Sequence, residues 1–385
     1  MIVKLADNIF SPLGYTTQEN YDRVMEGCSE LKLHSGLWDI PEPFMASLFA
    51  DRALVEEKFR SVCKDDTAEY TFFEKVSVLS AYSAISEANI DASSDRVIFI
   101  LSTTKGNVGL LADSNHNRHS ALPSFSAERI ARFFGNPNMA ITVSNACTSG
   151  ACAQLTALRM LESGLYDYAV VTGADVQSKF IITGFQSFKA LSVDKCKPFD
   201  ADRVGLNLGE AAATIVYAKR EKTEVAASDW VLVAGAIHND ANHISGPSRT
   251  GEGCYLCLKD VMQYAGKDDI SVINAHGTAT PYNDEMESIA IDRAGLSEVP
   301  VNGYKGIYGH TMGAAGVLET ILSQRSIEKN MVLATAGFET SGVSRPVNIV
   351  KENAFTDKHH FIKLLSGFGG CNVALLFRMG GGNEQ

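Results

Sequence analysis

One cysteine stands among small and polar residues, directly after an apolar run. The stretch SNACTSG contains Cys147 and follows MAITV. Apolar residues recur at helical spacing from Ala151 onwards, which predicts that the thiol lies at the N-terminus of a helix ended by Gly164. Free N–H groups and the positive end of the helix dipole favour a thiolate there. These residues therefore indicate a nucleophile whose small neighbours leave room for a substrate.

Two histidines lie in small-residue surroundings further along the chain. NAHGTATPYNDEMES contains His276, followed by Thr278 and Thr280, whose alternate positions would point both hydroxyls the same way on an extended segment. KGIYGHTMGAAG contains His310 beside glycine and alanine residues. A single histidine is typical of the core or the surface, but the combination with Cys147 indicates nucleophile-plus-base chemistry.

Short apolar runs separated by helix-length segments must position these residues. Such runs are typical of strands buried on both faces, so they predict an α/β fold with a mostly parallel sheet. The runs are DRVIFILST, MAITVSN, DYAVVTGAD and AAATIVYAKR in the first part, and DWVLVAGAIH, ISVINAHG, VPVNGYKG and HHFIKLLSGFGGCNVALLFRM in the second.

The two parts of the chain repeat the same order of elements. An apolar strand, a reactive residue, a small-residue turn and a helix occur around Cys147 and again around His310, and each part closes with a glycine-bearing turn and an apolar strand. We therefore predict a duplicated fold, with residues 1–222 carrying the cysteine and residues 223–385 carrying both histidines. The pseudo-symmetry would bring equivalent helix ends together.

Composition narrows the classes of protein. The net charge of −11 over 385 residues argues against a nucleic-acid binder, and no uncharged apolar stretch is long enough to span a membrane. The eight scattered cysteines are typical of reduced thiols in a cytoplasmic protein. Cys254 and Cys257 form a lone CxxC with apolar neighbours, so we expect core packing and no metal site.

These motifs occur together, and in order, in one known family. NACTSG, NAHGTATPYND, KGIYGHTMGAAG, GFQSFKALS, PFDADRVGLNLGEAAA and GFGGCN resemble the β-ketoacyl-acyl-carrier-protein synthases, elongating condensing enzymes of the thiolase superfamily. The resemblance runs from Ser11 to Asn372. It implies a thiolase-like fold, in which duplicated α/β halves contain mixed sheets sandwiched by helices.

The resemblance implies how the site residues would act. Cys147 would take an acyl chain from a carrier-protein thioester, and malonyl-carrier protein would lose carbon dioxide to give an enolate that attacks the acyl group. His276 and His310 would donate hydrogen bonds to the malonyl thioester oxygen, and Lys305 would tune the second imidazole. The N–H groups of Cys147 and Phe368 would form the oxyanion hole for acyl transfer.

The resemblance also assigns residues around the substrate arm, the acyl chain and Lys305. They are Thr278 and Thr280 for the phosphopantetheine arm, Phe185 and Phe368 for the acyl pocket, and Glu287 and Glu319 as acidic residues near Lys305. Asn274 and Glu319 are a further candidate pair for a monovalent cation. We expect no tightly bound cofactor, since the substrates are carried on the phosphopantetheine of acyl carrier protein.

Partners follow from the same family. Acyl carrier protein is acidic, so an enzyme of this net charge needs a local basic cluster to receive it. The candidates are Arg52, Lys58, Arg129 and Arg132. We expect a homodimer built around paired sheets, and a heterodimer with a related ketosynthase-like subunit stays open.

Two other functions stay open as alternatives. A thiolase acting on coenzyme A esters would share the fold and use a second cysteine near the C-terminus, for which Cys371 is the candidate. A non-catalytic partner subunit of another ketosynthase would lack the nucleophile, so the presence of Cys147 argues against it. The stretch GLNLGEAAA has leucine and alanine where the enzymes of primary fatty acid synthesis commonly have phenylalanine and glycine. The choice between fatty acid synthesis and a specialised polyene or polyketide pathway therefore stays open.

Overall fold

In the computed structural model, which describes residues 1–63, 70–112 and 117–380, most strands join one large mixed sheet. The strands are β1 Ile2–Phe10, β2 Leu31–His34, β3 Phe44–Ser47, β4 Val97–Ser102, β5 Ile141–Val143, β6 Tyr168–Asp175, β7 Leu208–Gly209, β8 Ala211–Lys219, β9 Trp230–Asn239, β10 Ile270–Asn274, β11 Pro300–Asn302, β12 Met331–Val332, β13 Asn348–Ile349, β14 Ala354–Phe355, β15 His360–Gly367 and β16 Cys371–Met379. Eleven of them follow the order β13-β11-β10-β15-β16-β9-β1-β8-β6-β4-β5, and β2-β3-β7 and β12-β14 form two small sheets.

Helices cover both faces of this sheet within the described ranges. They are α1 Thr17–Met25, α2 Arg52–Val62, α3 Phe72–Ala88, α4 Pro123–Phe133, α5 Ser149–Glu162, α6 Lys179–Ser187, α7 Glu252–Val261, α8 Pro281–Arg293, α9 Lys305–Tyr308 and α10 Ala315–Glu328. As the sequence predicts, α5 ends just before Gly164, whose φ of 77° suits glycine. Proline stands at the first position of α8, where its missing N–H costs nothing.

The strand order occurs twice, which confirms the predicted duplication. The first repeat comprises β1, β4, β5, β6 and β8, and the second comprises β9, β10, β11, β15 and β16. In both repeats, the strands lie in the sheet in the order first, last, fourth, second and third along the chain. The first strand pairs antiparallel with the last. The third and fourth strands lie on either side of the second and run parallel to it. The repeats join where Val3 of β1 pairs with Val231 of β9.

Successive side chains of a strand point to opposite faces of the sheet, and this alternation divides the hydrophobic core into layers. On β4, Ile98 and Ile100 pack in one cluster with α5 and α10, whereas Val97 and Phe99 pack on the opposite face with α3 and α4. In the second repeat, α7 and α8 form the outer layer, in which Cys254 and Cys257 are buried as expected from the sequence. The central helices α5 and α10 therefore lie between the two repeats' parts of the large sheet, and outer helices cover the other faces, as in a thiolase-like fold.

Two glycines allow the central helices to touch. A Cβ atom on Gly150 of α5 would lie 2.9 Å from the Gly316 Cα of α10, and one on Gly316 would lie 2.5 Å from the Ala151 nitrogen. Gln154 fixes the crossing, because its Nε2 donates to the Gly316 carbonyl at 2.9 Å. The close approach brings the N-termini of α5 and α10 together, one from each repeat.

Two expectations about the strands need correction. The sheet is less parallel than predicted, since β8 and β16 run antiparallel to both of their neighbours. The strand β1 was missed because Lys4 and Asp7 interrupt its apolar run, yet they pair with each other at 2.7 Å and so enter the sheet. Among the described residues, no helix combines the length and the apolar character needed to cross a membrane.

Candidate active site

Cys147 lies on a strained turn between β5 and α5. The residue before it, Ala146, has a φ of 47°, in the left-handed region that costs energy for a residue with a Cβ atom. Two hydroxyls close the turn: Thr148 Oγ1 donates to the Asn145 carbonyl at 2.7 Å, and Ser149 Oγ donates to the Ala146 carbonyl at 2.6 Å. The turn therefore projects the thiol from the end of the strand in a fixed direction.

Burial decides the charge of this thiol. Cys147 is 8% exposed, and desolvation raises its pKa to about 11, although the charge of Lys305 and a hydrogen bond from the Phe368 N–H act in the opposite direction. The sequence leaves the charge of the resting thiol undecided, and burial acts against the thiolate that a helix N-terminus favours. Loss of water around the sulfur disfavours its charged form, so the free residue is a thiol at neutral pH.

The cysteine and the two histidines converge as the sequence predicts. Cys147 Sγ and one ring nitrogen each of His276 and His310 all lie within 4.8 Å of one another, and all three residues are buried. The imidazole centroids are 5.1 Å apart with an interplanar angle of 82°. The thiol comes from the first repeat and both imidazoles come from the second.

Hydrogen bonding fixes the orientation of His310. The Met312 N–H donates to its Nδ1 at 3.3 Å, which places the ring hydrogen on Nε2. That Nε2 atom is buried and has no hydrogen-bond partner among the described residues. The His310 N–H donates to the Asn207 carbonyl at 2.7 Å, so the first repeat holds its backbone. His310 therefore presents a free N–H donor to the cavity.

The backbone around His276 is held between acids and lysines. Glu287 on α8 accepts from the N–H groups of His276 and Gly277 at 2.6 and 2.8 Å. On the carbonyl side, Lys305 Nζ donates to the His276 oxygen at 2.5 Å. The peptide groups around the imidazole are thus oriented by charged side chains that are themselves buried.

Two lysines share one buried glutamate beneath the imidazoles. Glu319 lies 2.8 Å from Lys305 Nζ and 2.6 Å from Lys363 Nζ. Burial alone would raise the pKa of Glu319, but the two lysine charges hold it below its usual range. Burial and then the Lys305 charge lower the pKa of His276 and of His310 well below their usual range. Both imidazoles are therefore neutral at pH 7.

Two further carboxyl groups on α8 stay partly protonated near neutrality. Burial raises the pKa of Asp284 to about 6, and burial together with the Asp284 charge raises that of Glu287 to about 7. Asp284 accepts from the Thr278 N–H at 3.0 Å, and Asn283 Nδ2 donates to Glu287 at 2.8 Å. Of the two acidic residues predicted near Lys305, Glu319 contacts it and Glu287 contacts the His276 amide instead.

A cavity of about 390 Å³ opens above these residues. Phe185 and Phe368 line it and stack with centroids 6.0 Å apart, and Phe188 meets Phe368 edge-on at 5.5 Å. Thr278 and Thr280 also line it, with their hydroxyl oxygens 2.8 Å apart. The segment is not extended as predicted, because the intervening Ala279 has a φ of 60°. The two hydroxyls converge nevertheless.

The turn after β15 lies directly over the cysteine. A Cβ atom on Gly367 would be 3.3 Å from the Cys147 nitrogen, and the neighbouring Phe368 N–H lowers the pKa of the Cys147 thiol. The turn therefore lies against the Cys147 backbone and brings the Phe368 amide to the thiol.

Some predicted residues lie elsewhere. The cavity lining does not include Arg52, Lys58, Arg129 or Arg132, and it does include Lys189. Cys371 also lies outside the lining, where its sulfur accepts from Asn145 Nδ2 at 3.0 Å.

Lys363, Asp284 and Asn283 are functional-site residues that were not predicted from the sequence. Lys363 could have been found as the single charged residue within the apolar run FIKLL, which signals a buried charge in need of partners. Asp284 and Asn283 stand in the quoted motif NAHGTATPYND, but a motif does not show which of its polar side chains face the backbone of the histidine.

Cys147, His276 and His310 are also close enough to hold a metal ion. However, an imidazole nitrogen must be unprotonated to bind a metal, and the Met312 N–H keeps the hydrogen of His310 on the nitrogen that points to the cavity. The site thus presents hydrogen-bond donors beside a thiol. As for a monovalent cation between Asn274 and Glu319, the Lys363 ammonium occupies that position, 3.2 Å from the Asn274 carbonyl.

Comparisons with known proteins agree with this geometry. The model of the β-ketoacyl synthase N-terminal domain matches residues 9–223, and that of the C-terminal domain matches residues 230–339. The 3-oxoacyl-[acyl-carrier-protein] synthase 2 of Vibrio cholerae serotype O1 is 28% identical over 98% of each chain. A protein of the same name from Rhizobium meliloti is 33% identical over 62% of this chain and 60% of the relative.

Solved structures share the fold. The ishigamide ketosynthase/chain length factor superposes with a TM-score of 0.87 at 23% identity over 99% of each chain. A β-ketoacyl synthase from Burkholderia phymatum STM815 gives 0.86 at 22% identity, over 98% of this chain and 99% of that one. With both domain models matched and the strand order duplicated, the chain belongs to the β-ketoacyl synthase family.

Proposed function

We propose that this chain is a β-ketoacyl-acyl-carrier-protein synthase, an acyltransferase that extends an acyl chain by decarboxylative Claisen condensation. The observation that carries the proposal is the convergence of a thiol from one repeat and two neutral imidazoles from the other on one cavity. Condensation needs both a nucleophile that holds the acyl chain and donors that stabilise an enolate.

In the first step, Cys147 attacks the thioester carbonyl of acyl-carrier protein. The new S–C bond forms as the phosphopantetheine thiol leaves with the proton from Cys147. The Cys147 and Phe368 amides bind the oxyanion. Gly367 supports this role, because it lets the turn after β15 approach the turn that carries Cys147. Loss of one such donor typically costs about 2.7–4 kcal/mol of barrier.

In the second step, malonyl-carrier protein loses carbon dioxide, and the resulting enolate attacks the acyl carbonyl and releases Cys147. His276 and His310 stabilise the enolate oxygen by donating hydrogen bonds, which the Nε2–H of His310 supports directly. Lys305 holds His276 through its carbonyl and supplies positive charge beneath both rings. A cluster of two ammonium groups and one carboxylate favours the negative charge that develops above it.

The cavity supports the proposed substrate contacts. The hydroxyls of Thr278 and Thr280 bind the amides of the phosphopantetheine arm, and the rings of Phe185 and Phe368 contact the acyl chain. We propose no tightly bound cofactor, because the carrier protein delivers both substrates. Lys189 in the lining is the first basic candidate for contact with the acidic carrier.

We also propose that the protein is dimeric through the edge of its sheet. β5 lies at the end of the eleven-stranded sheet and pairs with β4 alone within the described ranges. Met139, just before this strand, is 80% exposed. An open edge beside an apolar side chain favours pairing with a second sheet, from an identical chain or a related subunit. Cytoplasmic location and the division of the chain at residues 222 and 223 stay predictions.

The pathway is either fatty acid or polyketide synthesis. The relative from Vibrio cholerae named above points to the former, and a putative polyketide β-ketoacyl synthase 1 of Streptomyces cyaneus, 29% identical over 68% of this chain, points to the latter. The thiolase alternative is disfavoured, because Cys371 lies outside the cavity lining that contains Cys147. The non-catalytic alternative is disfavoured by the complete set of Cys147, His276 and His310.

Intact-protein mass spectrometry tests the proposal. The protein is mixed with a panel of acyl-carrier proteins of different chain lengths, then with malonyl-carrier protein, and the products are analysed. We expect an acyl adduct on Cys147 and a β-ketoacyl product two carbons longer than the primer. Loading from coenzyme A esters that also requires Cys371 would replace the proposal with a thiolase, and absence of any adduct would support a non-catalytic subunit.

A further inference from the structure

Besides the charge used above, the ammonium group of Lys363 has contacts with backbone carbonyl groups that the steps above do not use. Its Nζ lies 3.2 Å from the carbonyl oxygens of Asn274 and Ala275, 2.9 Å from that of Leu364, and 2.6 Å from Glu319 Oε2. The side chain is fully buried. A buried charge costs stability unless its contacts are made, so a lysine in the middle of β15 needs a reason beyond packing.

We propose that Lys363 is a positioning residue for the condensation step: it holds the backbone that leads into His276. This inference rests on the proposed function, since it assumes that His276 donates to the malonyl thioester.

Three consecutive carbonyl groups carry the argument. Those of Asn274 and Ala275 accept from Lys363, and that of His276 accepts from Lys305. Glu319 bridges the two ammonium groups, so the three side chains act as one unit. Buried carbonyl groups need partners, and a neutral residue at position 363 would remove the ammonium contact from two of these three carbonyls and the ion pair from one oxygen of Glu319. The imidazole of His276 would then lose part of its fixed orientation.

The same contacts are those expected of a bound monovalent cation. Three carbonyl oxygens and one carboxylate oxygen surround a single positive charge. Burial lowers the pKa of Lys363 to about 8, against the charge of Glu319, so the group is charged at pH 7. The chain thus supplies this cation covalently, and its activity is independent of Na⁺ and K⁺.

The first test separates the two half-reactions in Lys363→Met, which keeps an unbranched stem of four heavy atoms but removes the ammonium group. We expect Cys147 to load from acyl-carrier protein at the wild-type rate, and condensation with malonyl-carrier protein to fall roughly 10- to 100-fold, the range typical of partners that orient a functional imidazole. Lys351→Met, which removes an exposed lysine paired with Glu339, is the matched control and retains both rates.

Two further measurements keep the inference falsifiable if Lys363→Met does not fold. Condensation by wild-type protein is compared in potassium, sodium and tetramethylammonium salts at constant ionic strength, and the rates are expected to be equal. In Lys363→Ala, propylammonium is expected to restore condensation and leave loading unchanged. A wild-type rate that requires potassium or sodium overturns the inference, as does a folded Lys363→Met variant that condenses at the wild-type rate or loses both half-reactions equally. Failure of the wild type to load or condense contradicts the proposed function instead.

Discussion

The two repeats share one strand order but bring different chemistry to the same cavity. The first supplies a thiol on a turn strained at Ala146 and closed by neutral hydroxyls. The second supplies two imidazoles that are held by buried charges, including Lys305 and Glu319. A nucleophile must project into the cavity and have small neighbours that leave room for the substrate. Hydrogen-bond donors to a developing anion need a fixed orientation and nearby positive charge. Duplication therefore provided two equivalent positions, and the surroundings of each determine its role.

The connections between the last two strands of each repeat differ as well. In the first repeat, residues 176–210 separate β6 from β8 and carry α6 with Phe185, part of the cavity wall. In the second repeat, only residues 368–370 separate β15 from β16, and they place Phe368 over the thiol. The long connection provides volume for a substrate, and the short one provides a fixed amide.

Removing the reactive group of the first repeat has the largest expected effect. Cys147→Ala deletes the atom that carries the acyl chain, so condensation is expected to fall on the order of 10⁴-fold or more. The rate of β-ketoacyl product formation measures this. Cys28→Ala, a partly exposed thiol elsewhere in the chain, is the control and keeps the wild-type rate.

Removing a donor of the second repeat is expected to cost less. His310→Ala deletes the Nε2–H that faces the cavity, and condensation should fall roughly 10²- to 10³-fold, the range for one oxyanion donor. Steady-state kinetics should place the loss in kcat. A loss confined to KM would mean that His310 binds the substrate without stabilising the transition state.

The junction between the repeats can be weakened without touching either reactive group. Gly316→Ala places a Cβ atom 2.5 Å from the Ala151 nitrogen, so the two central helices must separate, and we expect a loss of about 1–3 kcal/mol in the free energy of unfolding. Gly184→Ala is the control, because a Cβ atom there meets no atom within 4 Å. Chemical denaturation measures both. Equal stability of the two variants would contradict the close packing.

Much of this comparison could be predicted from the sequence. DYAVVTGAD became β6 at Tyr168–Asp175 because a short, nearly continuous apolar run suits a strand buried on both faces. The convergence of Cys147 with both histidines followed from recognisable motifs and from the repeated order of elements. The protonation of Cys147 could not be predicted, since it depends on how much water the folded chain excludes. The role of Lys363 also needed coordinates, because its partners come from β10 and α10.

The pH dependence of the two reactive regions should differ. Because the pKa values of His276 and His310 are lowered, both rings stay neutral as pH falls from 8 to 6.5, and neither ring should cause an inflection in condensation there. The carboxyl groups of Asp284 and Glu287, with pKa values of about 6 and about 7, titrate in the same range. Because the pKa of Cys147 is raised to about 11, its alkylation by iodoacetamide should accelerate steadily up to that pH. A loss of condensation with an apparent pKa near 6.5 that persists in Asp284→Asn and Glu287→Gln would place a protonated histidine in the mechanism.

The smallest expected effect concerns the substrate arm. Thr278→Val removes one hydroxyl from the cavity and should raise KM for carrier-protein substrates roughly 2- to 10-fold, the worth of one hydrogen bond, with kcat nearly unchanged. Initial-rate kinetics with malonyl-carrier protein would measure this. A large fall in kcat would instead assign the hydroxyl to the chemical step.

The central claim is that the repeats divide the reaction between them, and crossed half-reactions test it most directly. Cys147→Ala, His276→Ala and His310→Ala are each assayed for acyl loading by intact mass and for carbon dioxide release from malonyl-carrier protein. The account predicts that Cys147→Ala cannot load but still releases carbon dioxide, and that both histidine variants load but release it slowly. Carbon dioxide release that depends on Cys147 as strongly as on the histidines would contradict the division.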